Sequence, residues 1–246
     1  HKEYRRQRQM CIRDRDLFVL PELFSTGYRF KKMDEAHQYA ELVPAGVVTS
    51  FLTSLAKKIN TYFIAGLVEI DDDRIYNSSI TVGPEGFIGR YRKIHLFDTE
   101  KACFHAGTEA PPVFNLKGTK VGVMICFDWR FPEIVRSLAL KGAEIIAHPS
   151  NLVLPHCPQA MITRCLENRV YAITANRVGN ETRVPDEILH FIGQSQVVDP
   201  DGNILIRASE IEEEVQIVEI DLGKAREKFI NSKNDIFKDR RPDLYS

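Results

Sequence analysis

The chain has 246 residues, of which 43% are hydrophobic and 27% are charged. Glycine and proline occur at ordinary frequencies and no apolar run is long enough to span a bilayer, which excludes collagen-like, low-complexity and membrane-spanning classes. A net charge of −1 gives no general field to attract nucleic acid or an anionic membrane. The five cysteines form no CxxC pair, so we expect reduced thiols in a cytoplasmic protein.

The first sixteen residues differ from the rest of the chain. They contain six basic and three acidic side chains and show no hydrophobic period of a helix or strand. Ordinary globular sequence begins at Leu17. We interpret residues 1–16 as an atypical basic tail that is either disordered or foreign to the protein. Residues 17–246 contain no linker and no internal repeat, and we expect them to form a single domain.

The first half of the domain is predicted to contain four strands and one clear helix. Val47–Ile59 has its apolar residues at helical spacing, which indicates an amphipathic helix. Leu17–Glu22 is a short apolar run stopped by Pro21 and is typical of a buried strand. Further strands, the last two joined by a Gly-Pro-Glu-Gly turn, are predicted at Tyr62–Ile70, Ile75–Val82 and Phe87–Ile94.

The second half alternates helices with strands and hairpins. Pro132 is typical of a helix start, because its fixed φ and missing N–H are tolerated in a first turn. Helices are predicted at Pro132–Leu140, Ala160–Asn168 and, short and basic, after the last strand. Strands are predicted at Val113–Leu116, Lys120–Cys126, Glu144–Ala147, Val170–Ala175, Phe191–Val198, Asn203–Ala208 and Val215–Ile220. This order indicates a mixed α/β layer arrangement.

Three reactive side chains lie at or near the ends of predicted strands. Glu22 ends the first strand, Lys93 lies near the end of the fourth, and Cys126 ends an almost wholly apolar one. Strand ends and the loops after them form the sites of layered α/β proteins. A thiol, a carboxylate and an ammonium group that converge there would supply a nucleophile, a general base and a charge stabiliser for acyl transfer.

Each of these residues also has an ordinary structural interpretation. Cys126 can be a small buried hydrophobe, Glu22 a solvated charge, and Lys93 part of a basic edge strand. For the functional interpretation, we expect a cation or a helix N-terminus to lower the pKa of the Cys126 thiol. Alternation along the strand then turns Lys93 inward and leaves its neighbour Arg92 in solvent.

A cysteine–histidine pair is the alternative within the same chemistry. His95 and His148 both lie near strand ends, and the sequence does not decide between them and the carboxylate–lysine arrangement. Cys157 and Cys165 are interpreted as structural, and Cys11 lies within the atypical tail.

Three motifs in this order resemble those of the nitrilase, or carbon–nitrogen hydrolase, superfamily. They are LPELFSTGY at 20–28, YRKIHLF at 91–97 and VGVMICFDWRFPE at 121–133. The resemblance runs from about Leu17 to the end of the chain and is greatest to the archaeal-type, thermophile-like nitrilases. It implies an α/β fold, a four-layer αββα sandwich that associates into a dimeric αββα–αββα stack. The tail around 231–246 would clasp the partner subunit.

The resemblance also implies a role for each candidate residue. Glu22 would be the general base, Lys93 would stabilise the transition state, and Cys126 would be the nucleophile. Glu100 matches the family's second glutamate and would position Lys93 and the attacking water. The Phe127 N–H would contribute to the oxyanion site. Substrate-binding residues are expected among Tyr28, Phe127, Trp129, Asn151 and Leu152.

The implied reaction is cleavage of a carbon–nitrogen bond other than a peptide bond. Cys126 would attack a small amide, carbamoyl amine or nitrile, and a thioester would be hydrolysed after ammonia or an amine leaves. No metal or cofactor is required, and the expected partners are the substrate and a second copy of the chain. Two alternatives stay open. One is an N-acyltransferase that uses the same thioester. The other is an inactive truncated member, because residues 1–16 stand where the family has its first strand and helix.

Overall fold

Two large sheets organise the computed structural model, which describes residues 16–185 and 187–245. The predicted basic tail, with Cys11, therefore lies outside the described residues except for Asp16. The first sheet consists of β1 (Leu17–Val19), β2 (Glu41–Leu42), β3 (Tyr62–Asp71), β4 (Arg74–Gly83) and β5 (Gly86–Arg92). Its order is β1-β3-β4-β5, and β2 also pairs with β3. Strands β3 to β5 are antiparallel, whereas β1 and β2 run parallel to β3.

The second sheet has parallel strands at its centre. It consists of β6 (Val113–Leu116), β7 (Thr119–Val123), β8 (Ile145–Pro149), β9 (Tyr171–Ala175), β12 (Gln196–Val198) and β13 (Ile204–Arg207). The order is β13-β12-β9-β8-β7-β6, and β7, β8 and β9 are the parallel strands. Two small two-stranded sheets are formed by β10 (Asn180–Glu181) with β11 (Leu189–His190), and by β14 (Phe229–Asn231) with β15 (Asn234–Asp235).

Helices cover the outer faces of the two sheets. They are α1 (Met33–Gln38), α2 (Val47–Ile59), α3 (Glu100–Cys103), α4 (Pro132–Leu140), α5 (Cys157–Asn168) and α6 (Leu222–Arg226), with 3₁₀ helices at Cys126–Arg130 and Pro242–Leu244. Phe63 and Ala65 of β3 pack against α2, whereas Ile64 between them joins the core that includes the second sheet, α4 and α5. This alternation gives the layer order α2, first sheet, second sheet, α4 with α5. The predicted four-layer αββα sandwich is confirmed.

The helix predictions agree with the structure better than the strand ends do. The helices over Val47–Ile59 and Pro132–Leu140 have the predicted bounds, and the helix predicted from Ala160 begins at Cys157. The strand predicted over Lys120–Cys126 ends at Val123, and the strand predicted over Leu17–Glu22 ends at Val19. An apolar run continues through both ends, so hydrophobicity alone did not mark where the backbone turns.

The strand predicted over Val215–Ile220 is wrong. This segment has no regular secondary structure, and Val215 and Ile217 are largely exposed. An alternating pattern stabilises a strand only where one face is covered, and here the apolar positions gain no burial. The short elements α1, α3, β2 and β10, which have no strong hydrophobic period, were not predicted.

The turn that carries Glu22 lies directly on β3. Gly66 N–H donates to Pro21 C=O at 3.3 Å, and Phe24 N–H donates to Gly66 C=O at 3.1 Å. A Cβ on Gly66 would lie 2.6 Å from Glu22 Cα and 2.6 Å from Leu23 N. Only glycine allows this close approach of two main chains, so Gly66 determines the depth at which Glu22 is held.

Substitution of Gly66 by alanine tests this packing. We expect the G66A free energy of unfolding to fall by about 1–3 kcal/mol, because the conflict is with main-chain atoms that have to move. Gly223→Ala is the control, since its new Cβ would meet the flexible Asp221 side chain at 3.0 Å. Urea unfolding of both variants measures the difference, and equal stability of the two would contradict the proposed close approach.

Candidate active site

A buried lysine lies between two buried glutamates. Lys93 Nζ is 2.7 Å from Glu22 Oε1 and 2.7 Å from Glu100 Oε1. All three side chains are 3% exposed or less. A buried ammonium group requires paired charges, and these two carboxylates supply them. The sequence prediction that Lys93 points inward therefore agrees with its position. Arg92 is not simply solvated, because it pairs with the buried Glu69.

Main-chain and amide contacts fix the three ionisable groups. Glu22 Oε1 also accepts from Asn77 Nδ2 at 2.7 Å, and Glu22 C=O accepts from Asn151 Nδ2 at 2.7 Å. Glu100 begins α3 and its Oε2 accepts from Phe97 N–H at 3.1 Å. Glu22 Oε2 is buried and has no hydrogen-bond partner among the described residues. This oxygen is therefore available to accept a proton.

Cys126 lies at the first residue of a 3₁₀ helix, beyond the end of β7. Its φ is 39°, in the left-handed region that is unusual for a residue with a Cβ. Burial and the nearby Glu22 raise the pKa of the Cys126 thiol well above its ordinary value, against the opposing effect of Lys93. The expectation of a lowered thiol pKa is therefore wrong for this state of the protein. A protonated thiol needs a base before it can attack.

Glu100, the second carboxylate beside Lys93, has a raised pKa. Burial and Glu22 raise the pKa of Glu100 to about 7, although Lys93 opposes this shift. Burial lowers the pKa of Lys93, but Glu100 and Glu22 outweigh it and raise that pKa above its ordinary value. The lysine thus stays charged, while two carboxylates that share one cation retain a tendency to bind a proton.

A cavity of about 570 Å³ opens next to Cys126. Four of the five predicted substrate-binding residues line it together with Cys126: Phe127, Trp129, Asn151 and Leu152. The fifth, Tyr28, is not among the lining residues. Burial, together with the charges of Glu100 and Glu22, raises the pKa of its hydroxyl well above the ordinary value. Tyr28 is thus close to the ionisable groups rather than on the cavity wall.

The two histidines of the alternative arrangement bond to other groups. His148 Nε2 is 2.9 Å from the main-chain oxygen of Cys126, and its Nδ1 is 3.1 Å from Thr174 Oγ1. His95 Nδ1 is 2.8 Å from Asp128 Oδ1. Neither ring is hydrogen-bonded to the thiol in the part of the chain that the structure describes. The geometry therefore favours the carboxylate–lysine arrangement over a cysteine–histidine pair.

Comparisons with known proteins show the family to which the chain belongs. Residues 6–228 match the family model described as "Carbon-nitrogen hydrolase". The chain is a member of the carbon–nitrogen hydrolase family. It is 54% identical over 229 residues to the "Nitrilase" of Pyrococcus abyssi, covering 93% of this chain and 86% of that protein.

Two further members of the family illustrate its range. The chain is 34% identical to the "2-oxoglutaramate amidase" of Bacillus subtilis, over 94% of this chain and 86% of that protein. The crystal structure of a carbon–nitrogen hydrolase from Helicobacter pylori G27 superposes with a TM-score of 0.84 at 29% identity. That match covers 94% of this chain and 85% of the other. Nitrilase and amidase names both occur among the relatives, so the chain is a carbon–nitrogen hydrolase whose bond type the comparisons leave open.

Sequence reasoning missed two residues that shape the site of this carbon–nitrogen hydrolase, Asn77 and Asp128. Asn77 holds Glu22 from the middle of β4, and no local motif marks it. Asp128, fully buried, accepts from Tyr91 Oη at 2.8 Å and from Ile125 N–H at 2.9 Å. An acidic residue two positions after the cysteine, in an otherwise apolar stretch, was the available signal for Asp128.

The described residues contain neither a cluster of metal-ligating side chains nor a helix suited to a bilayer. Across 16–185 and 187–245, no group of three or more His, Cys, Asp or Glu side chains is arranged to hold a metal ion. Among the same residues, no helix combines the length and apolar character needed to cross a bilayer.

The raised pKa of Glu100 predicts a pH-dependent stability. Between its ordinary value of 4.5 and about 7, the folded protein binds this proton more tightly than the unfolded chain. The contribution of Glu100 to the free energy of unfolding therefore decreases as pH rises through that window. We expect the stability of Glu100→Gln, relative to the parent, to increase from pH 5 to pH 8 in urea unfolding. Glu133→Gln, at an exposed carboxylate, serves as the control, and a flat difference for E100Q would contradict the assignment.

Proposed function

We propose that this chain is a thiol hydrolase that cleaves a small amide, carbamoyl amine or nitrile through a thioester on Cys126. The observation that supports it most is the Lys93 ammonium held between Glu22 and Glu100 beside a buried cysteine at a cavity of about 570 Å³. A nucleophile, a base and a cation within one site supply the groups that acyl transfer needs.

Proton transfer comes first in the proposed reaction. The raised thiol pKa means that Cys126 has to be deprotonated as it attacks. Glu22 Oε1 is occupied by Lys93 and Asn77, whereas Oε2 has no partner among the described residues. We assign Oε2 as the atom that takes the thiol proton, because a general base needs a free lone pair in a fixed position.

The bond changes then follow in two stages. The Cys126 sulfur bonds to the substrate carbon, and Lys93 with the Phe127 N–H stabilises the negative charge that develops on oxygen or nitrogen. For an amide, the C–N bond breaks and the leaving nitrogen takes the proton from Glu22. Water then gives a proton to Glu22 and attacks the thioester. The C–S bond then breaks, the acid leaves, and the sulfur takes the proton back from Glu22. Glu100 holds Lys93 and orients this water. A nitrile would first give a thioimidate, which adds water and loses ammonia to reach the same thioester.

Asn151 offers a contact for the leaving nitrogen. Its Nδ2 donates to Glu22 C=O, which fixes the amide orientation, since a carbonyl only accepts. Its Oδ1 is buried without a partner among the described residues, and Asn151 lines the cavity. Such an acceptor suits a substrate N–H. An amide or carbamoyl amine carries this N–H from the start, whereas a nitrile gains it only after the thiol adds.

Removal of the nucleophile tests the function. We expect Cys126→Ala to lose turnover completely while keeping the parent's thermal unfolding, because no other group can form the thioester. Ammonia release is measured with a panel of small amides, carbamoyl amines and nitriles, which also identifies the bond that is cleaved. Iodoacetamide should add to Cys126, as seen by intact mass.

Cys165→Ala is the matched control for this experiment. Cys165 is fully buried in α5, so its loss removes a buried thiol without touching the cavity. We expect C165A to keep turnover and to keep the iodoacetamide adduct. Undiminished turnover of C126A would rule out the proposed mechanism.

The proposal includes a homodimer in which the C-terminal segment contacts the partner. Ile230, Leu244 and Tyr245 of this segment are more than half exposed, and burial of exposed apolar side chains against a second copy would favour association. The four cysteines of the described residues are unpaired and buried, which supports a reducing, cytoplasmic setting.

Charge placed in the C-terminal segment tests the dimer. We expect the parent to elute as a dimer in size-exclusion chromatography with light scattering. The double variant Leu244→Asp, Tyr245→Asp should elute as a monomer, because two carboxylates would be buried in the contact. Phe51→Asp, on the exposed face of α2, is the control and should stay dimeric. A monomeric parent would contradict the proposal.

A further inference from the structure

Contacts on both sides hold the left-handed conformation of Cys126. A residue with a Cβ in this region costs about 1–3 kcal/mol, so it persists only where the surroundings impose it. On the preceding side, Ile125 N–H donates to Asp128 Oδ2 at 2.9 Å. On the following side, Cys126 C=O lies 2.9 Å from His148 Nε2. The second contact involves a side chain to which the proposed reaction gives no role.

His148 is a neutral ring with a defined donor atom. It is fully buried, and burial lowers its pKa to about 4, although the bond to the Cys126 carbonyl opposes this. A neutral imidazole carries one N–H, and a carbonyl oxygen can only accept, so the hydrogen is on Nε2. Nδ1 therefore accepts from the Thr174 hydroxyl at 3.1 Å. Ser150 Oγ lies 3.0 Å from Nε2 and donates to His148 C=O at 3.3 Å.

The sheet places this ring with little freedom. His148 of β8 and Thr174 of β9 are register partners in a parallel pair, so their side chains lie side by side. Strand β7 is the next neighbour of β8, and Met124 N–H extends that pairing by donating to Ala147 C=O at 3.1 Å. These contacts thus cross the carboxyl ends of three adjacent parallel strands, from Thr174 through His148 to the Cys126 C=O.

We propose that His148 is a positioning residue, which holds the Cys126 carbonyl and thereby aims the Phe127 N–H into the cavity as an oxyanion donor. The peptide unit is planar and trans, so its C=O and N–H point in opposite directions. A carbonyl fixed on His148 therefore directs the Phe127 N–H away from the ring. Cys126 and Phe127 both line the cavity. This inference rests on the proposed thiol-hydrolase function.

Loss of this bond should affect the chemical step more than substrate binding. The Phe127 N–H would contact charge that develops only in the transition state, whereas the cavity walls contact the bound substrate throughout. An interaction made only in the transition state lowers kcat when it is removed and leaves KM nearly unchanged. A change that merely loosens the fold would lower the amount of active protein instead.

Four variants separate these possibilities. His148→Leu removes the donor, and we expect kcat for the best panel substrate to fall by about 100-fold, with KM within about threefold. His148→Gln keeps a side-chain N–H at a similar distance and should restore most of kcat. Thr174→Val removes the group that fixes the ring and should lower kcat several-fold. Thr174→Ser keeps the hydroxyl and should match the parent.

Val170→Ala is the stability control. Val170 is fully buried just before β9, so its truncation lowers the melting temperature without changing the hydrogen bonds at Cys126. We expect it to keep the parent's kcat per folded molecule, and kcat lost there to the same degree would overturn the inference.

The remaining outcomes also test the role of His148. Parent-like kcat in folded H148L would overturn the inference, as would a loss in H148Q equal to that in H148L. If H148L does not fold, parent-like kcat in T174V overturns it. Turnover by Cys126→Ala would instead reject the proposed function itself. An inactive C126A beside fully active H148L and T174V would reject the role of His148 alone.

Discussion

The ion contacts of Lys93 are the interaction on which the rest of the site depends. A fully buried ammonium group is stable only when it is paired, and its two carboxylates lie 71 residues before it and 7 residues after it. Glu22 lies on the turn after β1 and Glu100 begins α3, while Lys93 follows β5. The lysine thus holds three segments at one end of the first sheet. Removal of either carboxylate would leave the buried Lys93 charge only half compensated. The same contacts therefore stabilise both the site and the local fold.

Burial and the charges of this group also determine how the cysteine can react. Burial raises the pKa of the Cys126 thiol, and Glu22 adds to this shift while Lys93 opposes it. A resting thiolate is therefore not the nucleophile that this arrangement supports. In the proposed reaction, thiol attack is coupled to proton transfer, and the acceptor we assign is the Glu22 oxygen that has no partner among the described residues. Burial and Glu22 also raise the pKa of Glu100 to about 7, against the opposing effect of Lys93.

Local sequence patterns predicted the helices and strands better than the long-range contacts that complete the site. The helix Val47–Ile59 was predicted with its bounds because a 3.6-residue period is strong over thirteen residues. Glu22, Lys93 and Cys126 were predicted as site residues because each follows or ends an apolar run, although β1 and β7 end before Glu22 and Cys126 are reached. Contacts such as Asn77 with Glu22, 55 residues apart, depend on sheet register, which no local pattern encodes. The strand predicted over Val215–Ile220 is wrong for the related reason that alternation does not show whether a face is covered.

One candidate catalytic side chain lies at a left-handed residue and another lies next to one, and this has a physical reason. Leu23, next to Glu22, has a φ of 47°, and Cys126 has a φ of 39°. A continuing strand would direct such a side chain into the sheet. A sharp reversal of the backbone at the strand end instead projects it toward the cavity. Each such residue costs about 1–3 kcal/mol, which packing has to offset. Leu23 is fully buried, and the Cys126 carbonyl is bound by His148, so in both places the tertiary structure stabilises what the local backbone disfavours. The precision of this site therefore resides in its surroundings, and substitutions outside the cavity can alter it as strongly as those within.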